Sequence, residues 1–462
     1  MFRLKEKGTT VRREFIAGLT TFAAMAYILM VNAGMFCDIP GSPVTYGAMY
    51  VSTAVSTVIG CLLTGLIAGV PLAQAPAMGI NAFFVYSLCC AMGFSYANAL
   101  MFTLLDGIVF VILTVTGLRR LVFEAVPGCV KTAISAGIGL FIAFIGFQNI
   151  GFVVDSPSTL VDLHSFNLAG GSVTWSALMP IIVFLMTVVI IGALSHKQVR
   201  GSLFFGMLIG AAAYYALGYL TVSGFSAGFT ASSPLEPIRE FFTQCVGKVF
   251  TEGLDFSGYI AQNGAAGFAF TLVTATLALC MVDMFDTMGT LYGTAAVGNM
   301  LDENGSVPRM EQSMLADAIA TCAGAVCGSS TVSTFVESAS GIAEGGRTGL
   351  TSVFTAILFF AAIFFAPIAS LIPTCATAAA LVYVGILMMS CVKEIDWNSP
   401  VSALPAFVTI AVMPFTYNIS YGIAFGLLSY VLISVLTGKA KEVKAGTWVI
   451  GTLFAVMFFV SR

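Results

Sequence analysis

Acidic residues lie inside the apolar stretches of this sequence, where charged side chains are rare. They are Asp106, Asp283, Asp286, Asp317 and Glu337. A charge at the centre of a bilayer costs at least ~2.5–3.5 kcal/mol on insertion scales. Such carboxylates must face water, contact a substrate or carry a proton, which indicates proton-coupled transport. For Asp106 and Asp317, a structural role in bonding neighbouring helices is an equal alternative.

Two of the acids share the segment LCMVDMFDTMGTLYG. Asp283 and Asp286 are three residues apart and therefore lie on one face of a helix. Gly289 and Gly293 follow on the same side, which predicts close packing of a neighbouring helix there. The paired carboxylates could accept hydrogen bonds from a ligand or exchange a proton.

The segment GSSTVSTFVESASGIAEGGRTG contains Glu337. Its part 329–335 is polar and β-branched, and we predict that it is extended. A helix is expected to start near Phe335, so that Glu337 lies in the first turn beside free backbone N–H groups and the positive end of the helix dipole. The rings of Phe285 and Phe335 could stack on a flat ligand.

An earlier segment, APAMGINAFF, has corresponding features. Asn81 offers both hydrogen-bond donors and acceptors, and it lies beside Phe83 and Phe84. Carboxylates, an amide, helix ends and aromatic faces together suit a planar, neutral molecule rich in N–H groups, and a nucleobase fits that description. The same set does not suit an inorganic anion, which the acids would repel.

Composition determines the class of protein that carries these residues. Of 462 residues, 58% are hydrophobic and only 9% are charged, compared with ~25% charged in soluble domains. These values exclude a soluble enzyme and a nucleic-acid-binding protein, and the long apolar stretches exclude an outer-membrane barrel. We predict an all-α polytopic membrane protein, and no CxxC or Cys/His cluster predicts a metal site.

We predict membrane spans in fourteen apolar runs. Two of these runs, the third and the tenth, are short and interrupted. The fourteen runs are 14–36, 46–69, 72–91, 96–117, 129–149, 174–195, 201–222, 266–290, 311–327, 330–345, 349–371, 373–391, 401–416 and 417–437. With the N-terminus in the cytoplasm, 16 of the 19 basic residues lie inside, Arg239 and Lys248 lie outside, and Arg462 is unassigned, as the positive-inside rule requires. The stretch 447–460 is short for a span, which predicts an interfacial or part-inserted helix. An amphipathic helix with a packing role is expected in LEPIREFFTQCVGKVF, within the outer loop 223–264.

A weak internal repeat relates the two halves of the chain. Val126-Pro127-Gly128-Cys129 begins the fifth run, and Ile372-Pro373-Thr374-Cys375 begins the twelfth. The interrupted third and tenth runs are also seven apart. Because seven spans invert the topology, these segments predict inverted repeats with a binding site between matched, broken helices.

The sequence resembles the nucleobase–cation symporter-2 superfamily, in its azaguanine-type hypoxanthine/adenine/guanine permease branch. The motifs are REFIAGLTTFAAMAYI, APAMGINAFF, VDMFDTMGTL and SSTVSTFVESASGIAEGGRTG, and the resemblance covers essentially the whole chain. It implies two inverted repeats of seven helices, with short strands in helices 3 and 10. It further implies uptake of purine bases with protons, by movement of a core domain against a gate domain.

The resemblance also implies roles for individual residues. Asp283 and Glu337 are expected to bind the purine with Asn81, and Phe335, Phe84 and Ser338 complete the predicted binding set. Asp286, with Thr287, Asp106 and Asp317, is expected to be structural or linked to protons.

The expected domain boundaries follow the helix count. They are core helices 1–4 in 1–128, gate helices 5–7 in 129–222, the extracellular loop in 223–265, core helices 8–11 in 266–371, gate helices 12–14 in 372–437, and a cytoplasmic segment with an interfacial helix in 438–462.

Several alternatives stay open from the sequence alone. A same-fold carrier of xanthine or uracil type is the nearest alternative, and a same-fold anion carrier would need a basic residue in place of Glu337. An intramembrane aspartyl protease would need a GxGD-type motif before Asp283, and a cation channel would not need broken helices. No cofactor, metal or nucleic acid is expected; the expected partners are a purine base, protons, the lipid bilayer of the cell membrane and a second copy of the chain.

Overall fold

A computed structural model describes residues 2, 4–117, 125–168, 173–226, 233, 235–298, 300, 307 and 309–460. The first half contains α1 Val11–Met25, α2 Tyr27–Cys37, α3 Tyr46–Leu63, β1 Gln74–Pro76, α4 Met78–Ala82, α5 Tyr96–Thr116, α6 Gly128–Asn149, β2 Val153–Ser156, β3 Leu160–Leu163, α7 Trp175–His196 and α8 Ser202–Thr221. Two of these helices continue as wider π-helical turns, α3 through Thr64–Ala68 and α4 through Phe83–Ala91.

The second half contains α9 Glu236–Gln244, α10 Lys248–Thr251, α11 Ser257–Val297, α12 Met310–Val326, β4 Val332–Thr334, α13 Ser338–Ala343, α14 Gly349–Ala362, α15 Ala366–Ala369, α16 Thr374–Met389, α17 Pro400–Thr416, α18 Ile419–Leu436 and α19 Ala445–Val460. Short 3₁₀ turns occupy Ile363–Phe365, Ser390–Glu394 and Ala440–Glu442.

The helices confirm a multi-pass membrane protein. Among the described residues, 10 helices are long and apolar enough to cross a membrane, and three shorter apolar helices cover Met78–Ala91, Pro400–Thr416 and Ala445–Val456. Each of the fourteen predicted runs coincides with a helix or with a strand followed by a half-helix. The predicted fold class is therefore correct.

A pair of short strands joins the two halves of the chain. β1 and β4 are antiparallel, with Ala75 opposite Ser333 at the centre of the register. The backbone N–H of Ala77 donates to Thr331 O at 3.1 Å, and that of Phe335 donates to Ala73 O at 3.0 Å. In a bilayer, non-helical backbone is tolerated only where its polar groups are satisfied within the protein. The pairing satisfies them and directs the two half-helices α4 and α13 away from a common centre.

Equivalent positions in the helices α6 and α16 are further evidence of the inverted repeat. Pro127 and Pro373 are their N-cap residues, both with extended backbone. Twelve residues after each proline lie Gly139 and Gly385, and these two glycines contact each other: a Cβ on Gly385 would lie 2.4 Å from Gly139 O. Equivalent residues meet in this way only near a two-fold axis, which supports the predicted relation between the halves.

Several elements differ in detail from the sequence prediction. The first run is broken at Ala26, and Gly264, with φ 73° and ψ 163°, breaks the long helix α11. A β2–β3 hairpin follows α6, and the sequence analysis made no prediction for that connection. The prediction of close packing at Gly289 and Gly293 is wrong, because a Cβ at either position would have no neighbour within 4 Å.

The last helix, α19, packs lengthwise against α18 and α11. Its Phe458 ring lies 4.6 Å from Phe425 and 5.4 Å from Tyr421, while Gly451 approaches Val431. The contact is antiparallel, and the interfacial or part-inserted placement of this helix stays a prediction. The predicted outer amphipathic helix forms as α9, which buries Pro237 and Phe241 and packs on α3.

The contact between α6 and α16 generates a prediction about stability. Gly385→Ala would place a Cβ 2.4 Å from Gly139 O, and overpacking of this kind costs about 1–3 kcal/mol. We expect a lower thermal unfolding midpoint in detergent. Gly192→Ala is the matched control, because its Cβ would meet only Tyr383 at 3.8 Å. Equal midpoints for the two variants would contradict the proposed close contact.

Candidate binding site

A cavity lies where the two half-helices diverge from the strand pair. Its volume is about 90 Å³. The strand and half-helix segments contribute Ala77, Met78, Gly79, Thr334, Phe335, Val336 and Glu337 to its lining. The neighbouring helices contribute Tyr27 of α2, Asp286 and Thr290 of α11, and Val384 and Met388 of α16. A smaller cavity of about 20 Å³ shares Gly79, Asp286 and Met388, and Phe285 lines it. Two acids and an aromatic ring therefore face one space.

Glu337 lies at the start of the half-helix α13. It is the N-cap residue of that helix, so the helix begins one turn later than predicted but the side chain still lies at its N-terminal end. Glu337 Oε1 accepts a hydrogen bond of 2.8 Å from the Tyr27 hydroxyl. This bond holds one carboxyl oxygen, and Glu337 remains part of the cavity wall.

Asp286 faces the same cavity from α11. Its Oδ2 accepts a hydrogen bond of 3.1 Å from the Ser333 hydroxyl of β4. Ser333 also shares a hydrogen bond of 2.8 Å with Thr287. The strand therefore fixes the orientation of Asp286 toward the cavity.

Asp283 occupies a different position from the one expected. It is fully buried, it lines neither cavity, and neither carboxyl oxygen has a hydrogen-bond partner among the described residues. Asp286 therefore faces the cavity, whereas Asp283 lies outside its lining. Two side chains three residues apart on a helix point in directions about 60° apart around its axis. This difference is enough to place Asp286 at the cavity and Asp283 in the packed interior.

Asp317 holds the strand pair to the neighbouring helices. Its Oδ1 accepts from Gln74 Nε2 at 2.9 Å and from the Thr334 hydroxyl at 3.3 Å, and its Oδ2 accepts from the Thr287 hydroxyl at 2.6 Å. Because both strands and α11 contact this single carboxyl, it connects the elements that form the site.

Asp106 binds the strand segment from α5. Its Oδ2 accepts from the Thr331 hydroxyl at 2.9 Å, whereas its Oδ1 is buried and has no partner in the described part of the chain. The structural alternative that the sequence left open for Asp106 and Asp317 therefore has hydrogen bonds to support it.

Besides Asp283, three more of the predicted binding residues lie outside the two cavities. Asn81 donates to Pro76 O at 3.2 Å and accepts from the Ser330 hydroxyl, and Ser338 Oγ accepts from the Ala73 backbone N–H at 3.0 Å. Both side chains are fully buried and join the half-helices to the strands. Phe84 is also buried and contacts Phe36 and Tyr96, at ring-centroid distances of 4.9 and 6.0 Å. Of the two rings predicted to stack on a ligand, Phe285 and Phe335, only Phe335 lines the main cavity.

Other lining residues were not singled out from the sequence. Tyr27 lies in the motif REFIAGLTTFAAMAYI, where a tyrosine among small and aliphatic residues was the available signal. Met388 and Val384 are ordinary apolar residues of α16, and no feature of the sequence distinguishes them. Gly79 contacts the opposite helix closely, since a Cβ there would lie 2.7 Å from Ile138 Cγ2.

The site is acidic and contains no basic lining residue. Neither Lys nor Arg appears among the described residues that line the two cavities. Lys131 lies outside the lining, and its Nζ is 5.7 Å from the centroid of the Phe285 ring of the smaller cavity. The site can therefore accept N–H donors and stack on a flat ring, but it offers no side-chain cation to an anion.

Comparison with known proteins identifies the family. A family described as a permease family matches residues 12–425. The guanine/hypoxanthine permease PbuG of Bacillus subtilis (strain 168) is 37% identical, over 99% of this chain and 98% of its own. The adenine permease AdeP of Escherichia coli (strain K12) is 34% identical, over 98% of this chain and 94% of its own.

Two solved structures have a similar fold. The transmembrane domain of the cyanobacterial bicarbonate transporter BicA aligns with a TM-score of 0.64 at 15% identity, covering 89% of this chain and 97% of that one. Murine Slc26a9, an anion transporter in its inward-facing state, aligns with a TM-score of 0.58 at 12% identity, covering 92% and 68%. At these identities the likeness concerns the fold alone. The chain belongs to this permease family, within the nucleobase–cation symporter-2 superfamily and its azaguanine-type branch, and is a membrane transporter rather than an enzyme.

Proposed function

We propose that this protein imports purine nucleobases together with protons. The observation that carries the proposal is that Asp286, Glu337 and Phe335 face one cavity without a basic residue among its lining. Relatives named as guanine/hypoxanthine and adenine permeases, over nearly their whole lengths, support the substrate class.

The cavity chemistry suits a purine. Carboxylates accept hydrogen bonds, so Asp286 and Glu337 would accept the ring or exocyclic N–H groups of the base. The Phe335 ring would stack on its face. The backbone at Met78–Gly79 begins a helix without a side-chain cap, so its N–H groups would donate to an acceptor atom of the purine.

Anion transport is a poorer interpretation of this site despite the fold shared with anion carriers. An anion would approach two acidic side chains, and no Lys or Arg among the described lining residues would offset that repulsion. The chemistry of the cavity therefore separates this chain from its structural neighbours.

In this proposal Asp283 exchanges the coupled proton. An isolated buried carboxylate is very costly, and both oxygens of Asp283 are buried without a hydrogen-bond partner in the described part of the chain. It lies one helical turn from Asp286, so a proton on Asp283 would change the field at the binding residue. Asp106 and Asp317 would keep the surrounding strands in place through their hydrogen bonds.

We further propose that transport moves a core, 1–128 and 266–371, against a gate, 129–222 and 372–437. Polar contacts join these parts. The side-chain amide of Asn149, in α6 of the gate, donates to Asp38 Oδ2 of the core at 3.0 Å. Arg200, between α7 and α8 of the gate, forms an ion pair with Glu344 after α13 of the core. Movement of the core against the gate would break contacts of this kind.

The same proposal gives the protein a place in the cell. It would lie in the cell membrane with its N-terminus in the cytoplasm, because this orientation puts most Lys and Arg residues inside. A homodimer formed through the gate helices is part of the proposal by resemblance.

Uptake of labelled hypoxanthine, guanine and adenine tests the function directly. We expect saturable uptake in cells that lack their own purine carriers, and we expect it to fall when a protonophore is added. Cells with the same vector but without the gene provide the control. Absence of purine uptake, in cells shown to carry the protein in the membrane, would contradict the proposed substrate class.

Cross-linking tests the proposed movement. In Arg200→Cys/Glu344→Cys, a reversible bifunctional thiol reagent is expected to join core to gate and to lower uptake by at least about tenfold, the loss expected if most molecules are held in one state. A reductant should restore uptake, and each single cysteine variant controls for modification of native cysteines. Unchanged uptake in a protein shown to be cross-linked would exclude relative motion at this contact.

A further inference from the structure

A third cavity, of about 470 Å³, lies where α6 and α17 begin and α18 ends. Its lining residues come from the start of α6, the start of α17, the end of α18 and the segment before α19. The volume lies within the range of small-molecule pockets, about 300–1,000 Å³.

The charge in this cavity is opposite to that of the purine site. Among the described lining residues are three lysines, Lys131, Lys439 and Lys444, and one acid, Glu442. The hydroxyl groups of Ser399, Ser402 and Tyr430 are also part of the wall. The described part of the wall therefore carries more basic than acidic side chains, together with several hydroxyl groups.

Two long helices add to the positive field. α6 has 22 residues and α17 has 17, and both begin at this cavity without a side-chain cap. α6 is the main source of backbone donors, because α17 begins with Pro400, which has no N–H group, and the N–H groups of Ser402 and Ala403 donate to Ser399 O. The first N–H groups of a helix have no intrahelical acceptor, and the helix dipole favours negative charge at that end. Backbone donors and ammonium groups together match the oxygen atoms of a phosphate better than they match a neutral molecule.

The cavity wall is held in place by the last part of the chain. The Thr447 hydroxyl donates to Ala125 O across the cavity rim, and the turn Ala440–Glu442 brings Lys439 and Lys444 to the same side. The wall therefore unites segments that are more than 300 residues apart in sequence.

From this geometry we propose that the cavity is a binding site for a phosphate ester on the cytoplasmic face of the gate. The ligand is a free phosphate ester or the headgroup of an anionic lipid, which share the same recognition chemistry. The site is distinct from the purine cavity, although Lys131 contacts the Phe285 ring of the smaller neighbouring cavity.

The test measures binding to the purified full-length protein in a neutral detergent. The free phosphate probe is glycerol 3-phosphate, with glycerol as its uncharged control. The lipid probe is dioctanoyl phosphatidylglycerol, with dioctanoylglycerol as its uncharged control. Thermal unfolding midpoints and native mass spectrometry provide two readouts that do not depend on transport.

The variants separate the cavity from general surface charge. Lys439→Gln/Lys444→Gln removes two lining lysines, whereas Lys441→Gln removes an exposed lysine of the same segment that does not line the cavity. Lys131 is left unchanged because it also contacts Phe285.

We expect one phosphate probe to bind the native chain and Lys441→Gln alike, and to bind the double variant at least about tenfold more weakly, the scale for loss of two charge-assisted contacts. Binding of glycerol 3-phosphate would identify a free phosphate ester, and binding of phosphatidylglycerol alone would identify a lipid headgroup. Binding of neither probe, or equal binding to the double variant and Lys441→Gln, would overturn the proposal.

Discussion

The antiparallel pairing of β1 with β4 is the constraint on which the rest of the site depends. Two helices are interrupted within the membrane, and lipid cannot satisfy the free backbone groups of an interruption. The strands satisfy each other through Gln74–Pro76 and Val332–Thr334. Once this pairing is fixed, the half-helices α4 and α13 must diverge from one centre, and the space between them becomes the cavity.

The carboxyl groups fall into two sets around that centre. Asp106 and Asp317 are hydrogen-bonded to strand residues and to the helices beside them, which fixes the frame. Asp286 and Glu337 contact one donor each and still face open space. A transporter needs both sets. If the strands beside the binding carboxyl groups were not held in place, those groups could move and would not discriminate one base from another.

Sequence patterns predicted the architecture better than the site. Apolar length, the distribution of Lys and Arg, and the paired VPGC and IPTC segments predicted the spans and the inverted repeat, because these depend on transfer from water to lipid and on helix caps. The spacing of Asp283 and Asp286 placed both on one face of α11, but it did not determine which of them would face the cavity. That depends on the rotation of α11 against β4, and the buried positions of Asn81, Ser338 and Phe84 depend likewise on tertiary packing. The contact of Tyr27 with Glu337 joins residues 310 apart, which no local pattern contains.

Equilibrium binding of hypoxanthine to purified variants tests the central claim most directly. The account predicts that Asp286→Asn and Glu337→Gln each weaken binding by at least about tenfold, as expected for loss of a charged hydrogen-bond partner. Asp283→Asn, one helical turn away and outside the cavity, should bind within about threefold of the native chain in the same assay, since it loses no contact with the base. Unfolding midpoints would establish that all three variants are folded. Loss of binding in Asp283→Asn with native affinity in Asp286→Asn would contradict the account.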